Sequence, residues 1–319
     1  MGSGGYDTPL SSRVRLVLRH TPAATHGCRR AVGWAVVTMR WTDLVPVVLG
    51  VRTDGGGPGR VRPLVVGTTV VVTGASRGIG RVVAQRLACV GAHVVAVARS
   101  RDDLVDLEDR VRAAGGVLEH RVVDLRDTDA ATAVAEEVVA TLGVPHLLVA
   151  NAGHSIHRYL EASQFHDMQR LAQVNYAGAV AFAMPVLREM ARRGRGHLVT
   201  TSSTQVDVPL PGWSAYSASK TAFDTWLAGV SPELRAAGVA VSSIHLPRVT
   251  TAMSAPTAGR YPVPELSVDQ AADIVCRAVV TRARRVRPWW AGATKLVVDA
   301  APGVADELWA AVLRTGARP

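Results

Sequence analysis

Thr73-Gly74-Ala75-Ser76-Arg77-Gly78-Ile79-Gly80 lies between a β-branched run, Thr69-Val70-Val71-Val72, and a stretch with helical spacing over residues 79–90. Glycines 74, 78 and 80 give the spacing G-x-x-x-G-x-G. The first glycine permits a tight turn. The other two let backbone and helix approach a pyrophosphate, which settles where a helix N-terminus points its unpaired N–H groups. A glycine pattern alone is weak evidence, but one placed after a buried strand and before a helix is much stronger. The stretch predicts a dinucleotide-binding turn, with Gly74, Ser76, Arg77, Gly78, Ile79 and Gly80 as cofactor contacts.

Working outward, the pattern repeats. Leu64-Val65-Val66 joins the run at 69–72 as a first strand, and His93–Ala98, Val117–Val123 and Leu147–Ala150 read as the next three. His197–Thr201 and Val239–His245 read as the fifth and sixth. Helical patterns fall between them at 79–90, 101–114, 128–142, 164–193 and from Tyr216 to Ala237, then again at 268–281. A short segment near Arg285–Trp290 and a last helix over Asp306–Arg314 close the chain. Strand–helix alternation implies parallel strands joined by right-handed crossovers. The expected fold is a single α/β domain, a doubly wound parallel sheet of about seven strands flanked by helices.

The ends read differently. Residues 1–62 mix Gly, Ser, Thr, Pro and Arg, with Gly55-Gly56-Gly57-Pro58-Gly59 as a breaker run. They are expected to form a poorly ordered basic extension, 63–290 the catalytic domain and 291–319 a helical tail. Arg29-Arg30 before Ala31–Val37 faintly resembles a targeting signal, but the apolar run is short and no cleavage site follows. Met39 is a candidate true start.

Of the 319 residues, 48% are apolar and 5% aromatic, so Val, Ala and Leu must build the core. The net charge of +10 is uneven: +6 over residues 1–66, zero over 67–280 and +4 over 281–319. A neutral centre does not look like a nucleic-acid groove. Basic ends suit solvent, an anionic membrane surface or an acidic acyl carrier. Cys28, Cys89 and Cys276 show no disulfide or metal spacing, which fits a reducing, cytoplasmic setting and no metal centre. No apolar run is long enough to span a bilayer.

The second strand ends Ala98-Arg99-Ser100, with no acid at its tip. An Asp or Glu there would bond the ribose hydroxyls of NAD, whereas Arg accommodates the extra phosphate of NADP. Arg99 and Arg77 therefore favour NADP(H), with NAD(H) as the alternative.

Tyr216-Ser217-Ala218-Ser219-Lys220 puts a tyrosine and a lysine one helical turn apart. A cation there favours the phenolate of a group whose pKa is ordinarily about 10. The chain has 34 Arg and two Lys, so position 220 calls for a compact ammonium rather than any cation.

Taken together, the glycine turn, Asp124-Leu125, Asn151-Ala152-Gly153, Asn175, Ser202-Ser203, Tyr216–Lys220 and Pro247–Thr251 resemble the short-chain dehydrogenase/reductase family over about residues 64–290. The resemblance implies a Rossmann-type sheet and hydride transfer between a nicotinamide and a carbonyl/alcohol substrate. It implies Asn175, Ser203, Tyr216 and Lys220 as the catalytic set. Ser203 is preferred to Ser202 because it lies thirteen residues before Tyr216. Tyr216 would be the acid or base, and Lys220 would also bond the nicotinamide ribose. Asn175 would anchor a water relaying protons to Lys220. Asp124 and Leu125 would flank the adenine, and Asn151, Ala152 and Gly153 the adenosine. The family's Pro-Gly after the sixth strand is Pro247-Arg248 here, so Pro247, Val249 and Thr251 are matched to the nicotinamide grip without that glycine. A homodimer or homotetramer is expected from the resemblance.

The loop Met253-Ser254-Ala255-Pro256-Thr257 resembles a fatty acyl-CoA reductase-like actinobacterial subgroup, which suggests a lipid-like substrate. Trp289-Trp290 and Trp309 would cover it or pack on the domain. Alternatives are a 3-oxoacyl, polyketide or steroid ketoreductase, or a non-catalytic NADP-binding regulator. His154 and His157 would sit at the rim of the site.

Overall fold

The structure, a computed structural model, describes residues 52, 54–257 and 265–315 in full and the backbone of 13–20 and 33–40. Cys28, the Arg29-Arg30 pair and the other remaining residues lie outside those described. Strand β1 (Arg13–His20) pairs antiparallel with β2 (Gly33–Arg40). The main sheet comprises β3 (Thr69–Thr73), β4 (His93–Ala98), β5 (Val117–Val122), β6 (Leu147–Ala150), β7 (Gly196–Ser203), β8 (Val239–Leu246) and β9 (Arg285–Val286). Its order is β5-β4-β3-β6-β7-β8-β9, with every pair parallel. This is the expected doubly wound Rossmann-type sheet.

Alternation along the strands divides the core. Val70, Val72, Val94 and Ala96 pack on one face. They meet α2 (Gly78–Cys89), α3 (Arg101–Ala113) and α8 (Val268–Thr281). Val71, Val95 and Val97 pack on the other face. There they meet α4 (Thr128–Leu142), α6 (Gly178–Arg193) and α7 (Ser214–Ala236). Successive side chains of a strand point to opposite faces, so unbroken apolar runs mark strands buried on both.

Three sequence expectations need correction. Leu64 and Val65 are not strand; they end helix α1 (Pro58–Val65), and Val66 caps it. Gly57 and Pro58 start that helix, since proline is pre-organised for a first helical position. Val61 and Val65, four apart, bury only 2% and 1% exposed, and Arg277 Nη1 donates to the Asp54 carbonyl at 2.7 Å. The expected domain start at 63 thus falls inside a packed helix. The helix expected at 164–193 is split into α5 (Phe165–Ala172), a π-helical turn Gln173–Ala177, and α6. At the far end, the expected helical tail is two helices, α9 (Trp289–Ala300), which starts two residues before 291, and α10 (Pro302–Arg314), which begins earlier than the expected Asp306.

Candidate active site

Parallel strands deliver their loops to one edge, and ligands of such sheets lie outside the carboxyl ends of the strands. The turn after β3 holds Gly74 at φ 69° and Gly78 at φ 59°, conformations that favour glycine. A Cβ on Gly74 would lie 2.7 Å from Ala152 Cα, and one on Gly80 would lie 2.4 Å from the Gly74 carbonyl oxygen. The glycines therefore let the β3 turn, the start of α2 and the β6 loop touch. Thr73, quoted with the turn but given no role of its own there, joins them: its Oγ1 accepts from the backbone N–H of Asn151 and of Ala152, both at 3.1 Å. Asn151 Nδ2 donates to the carbonyls of Thr73 and Gly74 at 3.2 and 3.3 Å.

One cleft of about 1050 Å³ opens along this edge. Gly74, Ser76, Arg77, Gly78, Ile79, Arg99, Asp124, Leu125, Asn151, Ala152 and Gly153 line it toward one end of the sheet order. Ser203, Tyr216, Lys220, Pro247, Val249 and Thr251 line it too. Two residues of the expected set do not: Gly80, which packs behind the turn, and Asn175. The N-terminus of α2 has no side-chain cap and no acid in its first turn, whereas α4 and α8 are capped by Asp127 and Ser267. Unclaimed N–H groups beside glycines that admit no Cβ fit a bound pyrophosphate.

Asn175 works behind the wall. It sits in the π-helical turn, 1% exposed. Its Oδ1 accepts from His154 N–H at 2.8 Å, and its Nδ2 donates to the His154 carbonyl at 2.8 Å and to Ser219 Oγ at 2.9 Å. Such turns widen a helix locally and turn a side chain out of register. A small cavity of about 10 Å³ bounded by Asn175, Lys220, Thr73 and Thr200 lies next to it, room for about one water.

Ser203 Oγ accepts from Gln205 N–H at 3.2 Å, and its hydroxyl favours the Tyr216 phenolate. The Oγ of the neighbouring Ser202 is buried without such a partner. Burial pushes the Tyr216 phenol above its ordinary range, and the nearby Ser203 hydroxyl only partly offsets this. Burial pulls the Lys220 ammonium down to about 8, opposed by the charge of Asp224. Lys220 Nζ donates to the Thr201 carbonyl at 3.2 Å.

Asp124 is engaged by Arg126 through Nε at 2.9 Å and Nη2 at 2.6 Å, with Arg99 Nη1 at 3.8 Å. Burial works against its charge, but Arg126 holds it below the usual carboxylate range. His154 lines the cleft; burial first, then Arg170, Arg99 and Arg77, hold its imidazole below its ordinary pKa. His157 instead stacks edge-on against Trp213 at 4.9 Å, and Trp213 lies 5.7 Å from the Tyr216 ring. Trp213, Leu210, Met253, Trp290 and Trp309 give the cleft an apolar wall. Of these, Trp213 and Leu210 carried no sequence signal, because neither belongs to a spaced motif.

At the missing glycine, Arg248 closes the loop after β8 on itself. Its Nη1 donates to Thr257 Oγ1 and its Nη2 to the Ser254 carbonyl, both at 2.7 Å, and it pairs with Glu265. Among the described residues, no group of three or more His, Cys, Asp or Glu could hold a metal, and no helix is long and apolar enough to cross a membrane.

A parallel sheet of this order, a glycine cradle at an uncapped helix and a Ser–Tyr–Lys cluster in one cleft define a nucleotide-dependent oxidoreductase. The family model for short chain dehydrogenases matches residues 68–261, and the chain belongs to that family of alcohol- and carbonyl-converting oxidoreductases. It is 37% identical over 227 residues to a fatty acyl-CoA reductase of Acinetobacter baylyi, covering 70% of this chain and 77% of that one. It is 33% identical over 225 residues to a fatty acyl-CoA reductase of Mycobacterium tuberculosis, covering 70% and 76%. A metagenomic short-chain oxidoreductase solved in complex with NADP superposes with a TM-score of 0.60 at 30% identity, covering 68% of this chain and 92% of that one.

Proposed function

We propose that the chain is an NADP(H)-dependent reductase that moves a hydride between nicotinamide and the carbonyl of a lipid-like acyl, aldehyde or ketone substrate. The observation that carries this is the meeting of Ser203, Tyr216 and Lys220 with the glycine cradle in one cleft. When bound, the nicotinamide supplies the hydride.

The chain's own residues handle the proton and the charge. Tyr216 donates its phenolic proton to the carbonyl oxygen, and burial keeps that proton in place until it is needed. The Ser203 hydroxyl bonds the same oxygen as charge develops on it. Lys220, one turn along α7, stabilises the phenolate left behind and would bond the nicotinamide ribose. Asn175 shapes the small cavity beside Lys220, through which one water returns a proton. Pro247, Val249 and Thr251 would hold the nicotinamide amide, with Arg248 stapling their loop in place of a flexible glycine.

Arg77 and Arg99 on the cleft, with no acid at the β4 tip, support NADP(H) over NAD(H). The names of the two relatives and the apolar wall of Trp213, Trp290 and Trp309 support an acyl-chain substrate. A 3-oxoacyl or steroid ketoreductase would use the same chemistry on a differently shaped ketone. The test is NADPH oxidation with long-chain aldehydes, acyl thioesters, 3-oxoacyl thioesters and ketosteroids, with Tyr216→Phe as the blank. Turnover of the long-chain compounds by wild type alone is expected. No turnover of any of them, or equal rates in the blank, would sink the reading.

A further inference from the structure

Behind the cleft lies a buried charged cluster that the chemistry above does not use. His245 is the penultimate residue of β8, paired across the sheet with Ser202, and 1% exposed. Its Nδ1 meets Asp207 Oδ2 at 2.5 Å, and its Nε2 lies 3.3 Å from Asp224 Oδ2. Both carboxylates are buried. Arg287 Nη1 donates to Asp207 Oδ1 at 2.6 Å. Ser243 Oγ donates to Asp224 Oδ1 at 2.5 Å, and Arg285 Nη2 is 3.9 Å from Asp224 Oδ2. Buried ion clusters of this kind rarely stabilise a fold better than apolar residues of the same volume, so stability does not explain this one.

Its place in the chain does. Asp207 follows Ser203 by four residues, across the 3-10 turn Thr204–Val206 that Ser203 Oγ opens by accepting from Gln205 N–H. Asp224 follows Lys220 by one helical turn. His245 precedes Pro247 by two residues. Three arms of one cluster reach three separate walls of the cleft.

We propose that His245, clasped between Asp207 and Asp224, is a positioning residue that fixes the Ser203 turn against the Tyr216–Lys220 helix in the register that hydride transfer needs. This rests on the reductase reading above. The Nδ1 arm is a hydrogen bond to Asp207, whereas Nε2 faces Asp224 outside hydrogen-bond geometry, so that second arm is an ionic contact that holds only while the ring is charged. Burial opposes that charge, but the two carboxylates outweigh it and raise the His245 pKa. The charged groups around the ring are Asp207 from the turn after β7 and Asp224 from α7. Arg285 of β9 and Arg287 just beyond it act on those same carboxylates. Asp224 also supports the positive charge of Lys220, which burial depresses.

Wild type against Tyr216→Phe first decides whether the chain reduces carbonyls at all; an inactive wild type refutes the reductase reading, not the charge state of the clasp. In active enzyme, Asp224→Asn should move the alkaline limb of the kcat–pH profile down by about one unit or more, since Lys220 and His245 lose a counter-charge. Asp207→Asn should lower kcat about 10- to 100-fold while the NADPH Kd stays within about threefold, because Ser203 addresses substrate rather than cofactor. A lowered Tm with the pH limb and kcat unmoved would reduce the cluster to a structural role and overturn the proposal. If these variants do not fold, nitrogen-15 histidine spectra of wild type decide. The His245 ring should stay an imidazolium at a pH where an ordinary histidine has become neutral, and a ring that titrates at or below the ordinary histidine pKa overturns the proposal.

Discussion

Lys220 Nζ donates to the carbonyl of Thr201 at 3.2 Å, tying α7 to the strand that ends two residues later at Ser203. The bond limits how far the ammonium can swing. Ser203 and Lys220 are therefore both held by backbone groups, Gln205 N–H and the Thr201 carbonyl.

Tyr216→Phe removes the proposed acid while keeping the ring that packs on Trp213. Carbonyl reduction should fall about 10²- to 10⁴-fold, with NADPH binding, followed by fluorescence titration, changed little. Retention of most of the rate would rule out Tyr216 as the proton donor.

Lys220 also makes a prediction about stability. Its folded pKa is about 8, against about 10.4 for an unfolded lysine. Between those values the unfolded chain binds the additional proton, so stability rises with pH across that window, and the cost of the buried charge is full below it. Lys220→Met should be inactive yet more stable at pH 7 by about 2–3 kcal/mol, with the gap closing toward about pH 10.5. Denaturant midpoints at the two pH values measure it, and a less stable variant at pH 7 would contradict the depressed pKa.

Gly80 and Gly78 should fail in different ways. A Cβ at Gly80 meets the Gly74 carbonyl oxygen at 2.4 Å and Asn151 Nδ2 at 2.5 Å, so Gly80→Ala must spread the turn, costing about 1–3 kcal/mol. At Gly78 the nearest atom is Thr251 Cγ2 at 3.7 Å, so Gly78→Ala meets only the backbone strain of its positive φ, about 1–2 kcal/mol. Gly80→Ala should show the larger loss of both Tm and NADPH affinity. The reverse ranking would mean that the β3–β6 contact matters less than the turn's dihedrals.

Arg99 is half-exposed at the β4 tip. Arg99→Ala should lower kcat/KM with NADPH about tenfold or more, the worth of one charge-assisted bond, and leave NADH unaffected. Wild type that uses both cofactors equally would remove the preference.

Arg248→Gly restores the small residue usual after the sixth strand but deletes three ties to Ser254, Thr257 and Glu265. The KM for NADPH should rise several-fold and limited proteolysis should cut between Val249 and Thr257 more readily. Unchanged KM and digestion would show that Val249 and Thr251 hold their places without the staple.

How legible this was in the sequence depended on range. Val70–Val72 and Val94–Val97 announce themselves because strands buried on both faces are continuously apolar. Leu64–Val66 mimicked that signal; the buried pair Val61 and Val65 at helical spacing was the contrary evidence. The helical tail expected from 291 was legible, but its division into Trp289–Ala300 and Pro302–Arg314 was not. Asn175 was legible as a motif, but the π-helical turn that displaces it was not, since its residues continue a helical pattern. Asp207 and His245 lie 38 residues apart and Asp224 between them; only the folded sheet brings them together.

The sheet order carries a consequence for how the chain acquires activity. Strand β3 pairs with β4 and β6, never with a hairpin neighbour, and each pairing spans an intervening helix or more. Such non-local pairing must close large loops before any contact rewards it. Gly74 and Thr251 reach one cleft only after four strands, β3, β6, β7 and β8, have registered, so the cleft is a late product of folding. During refolding, helical circular dichroism should return first and enzymatic competence last. Catalytic rate thus becomes a clock for completion of the sheet.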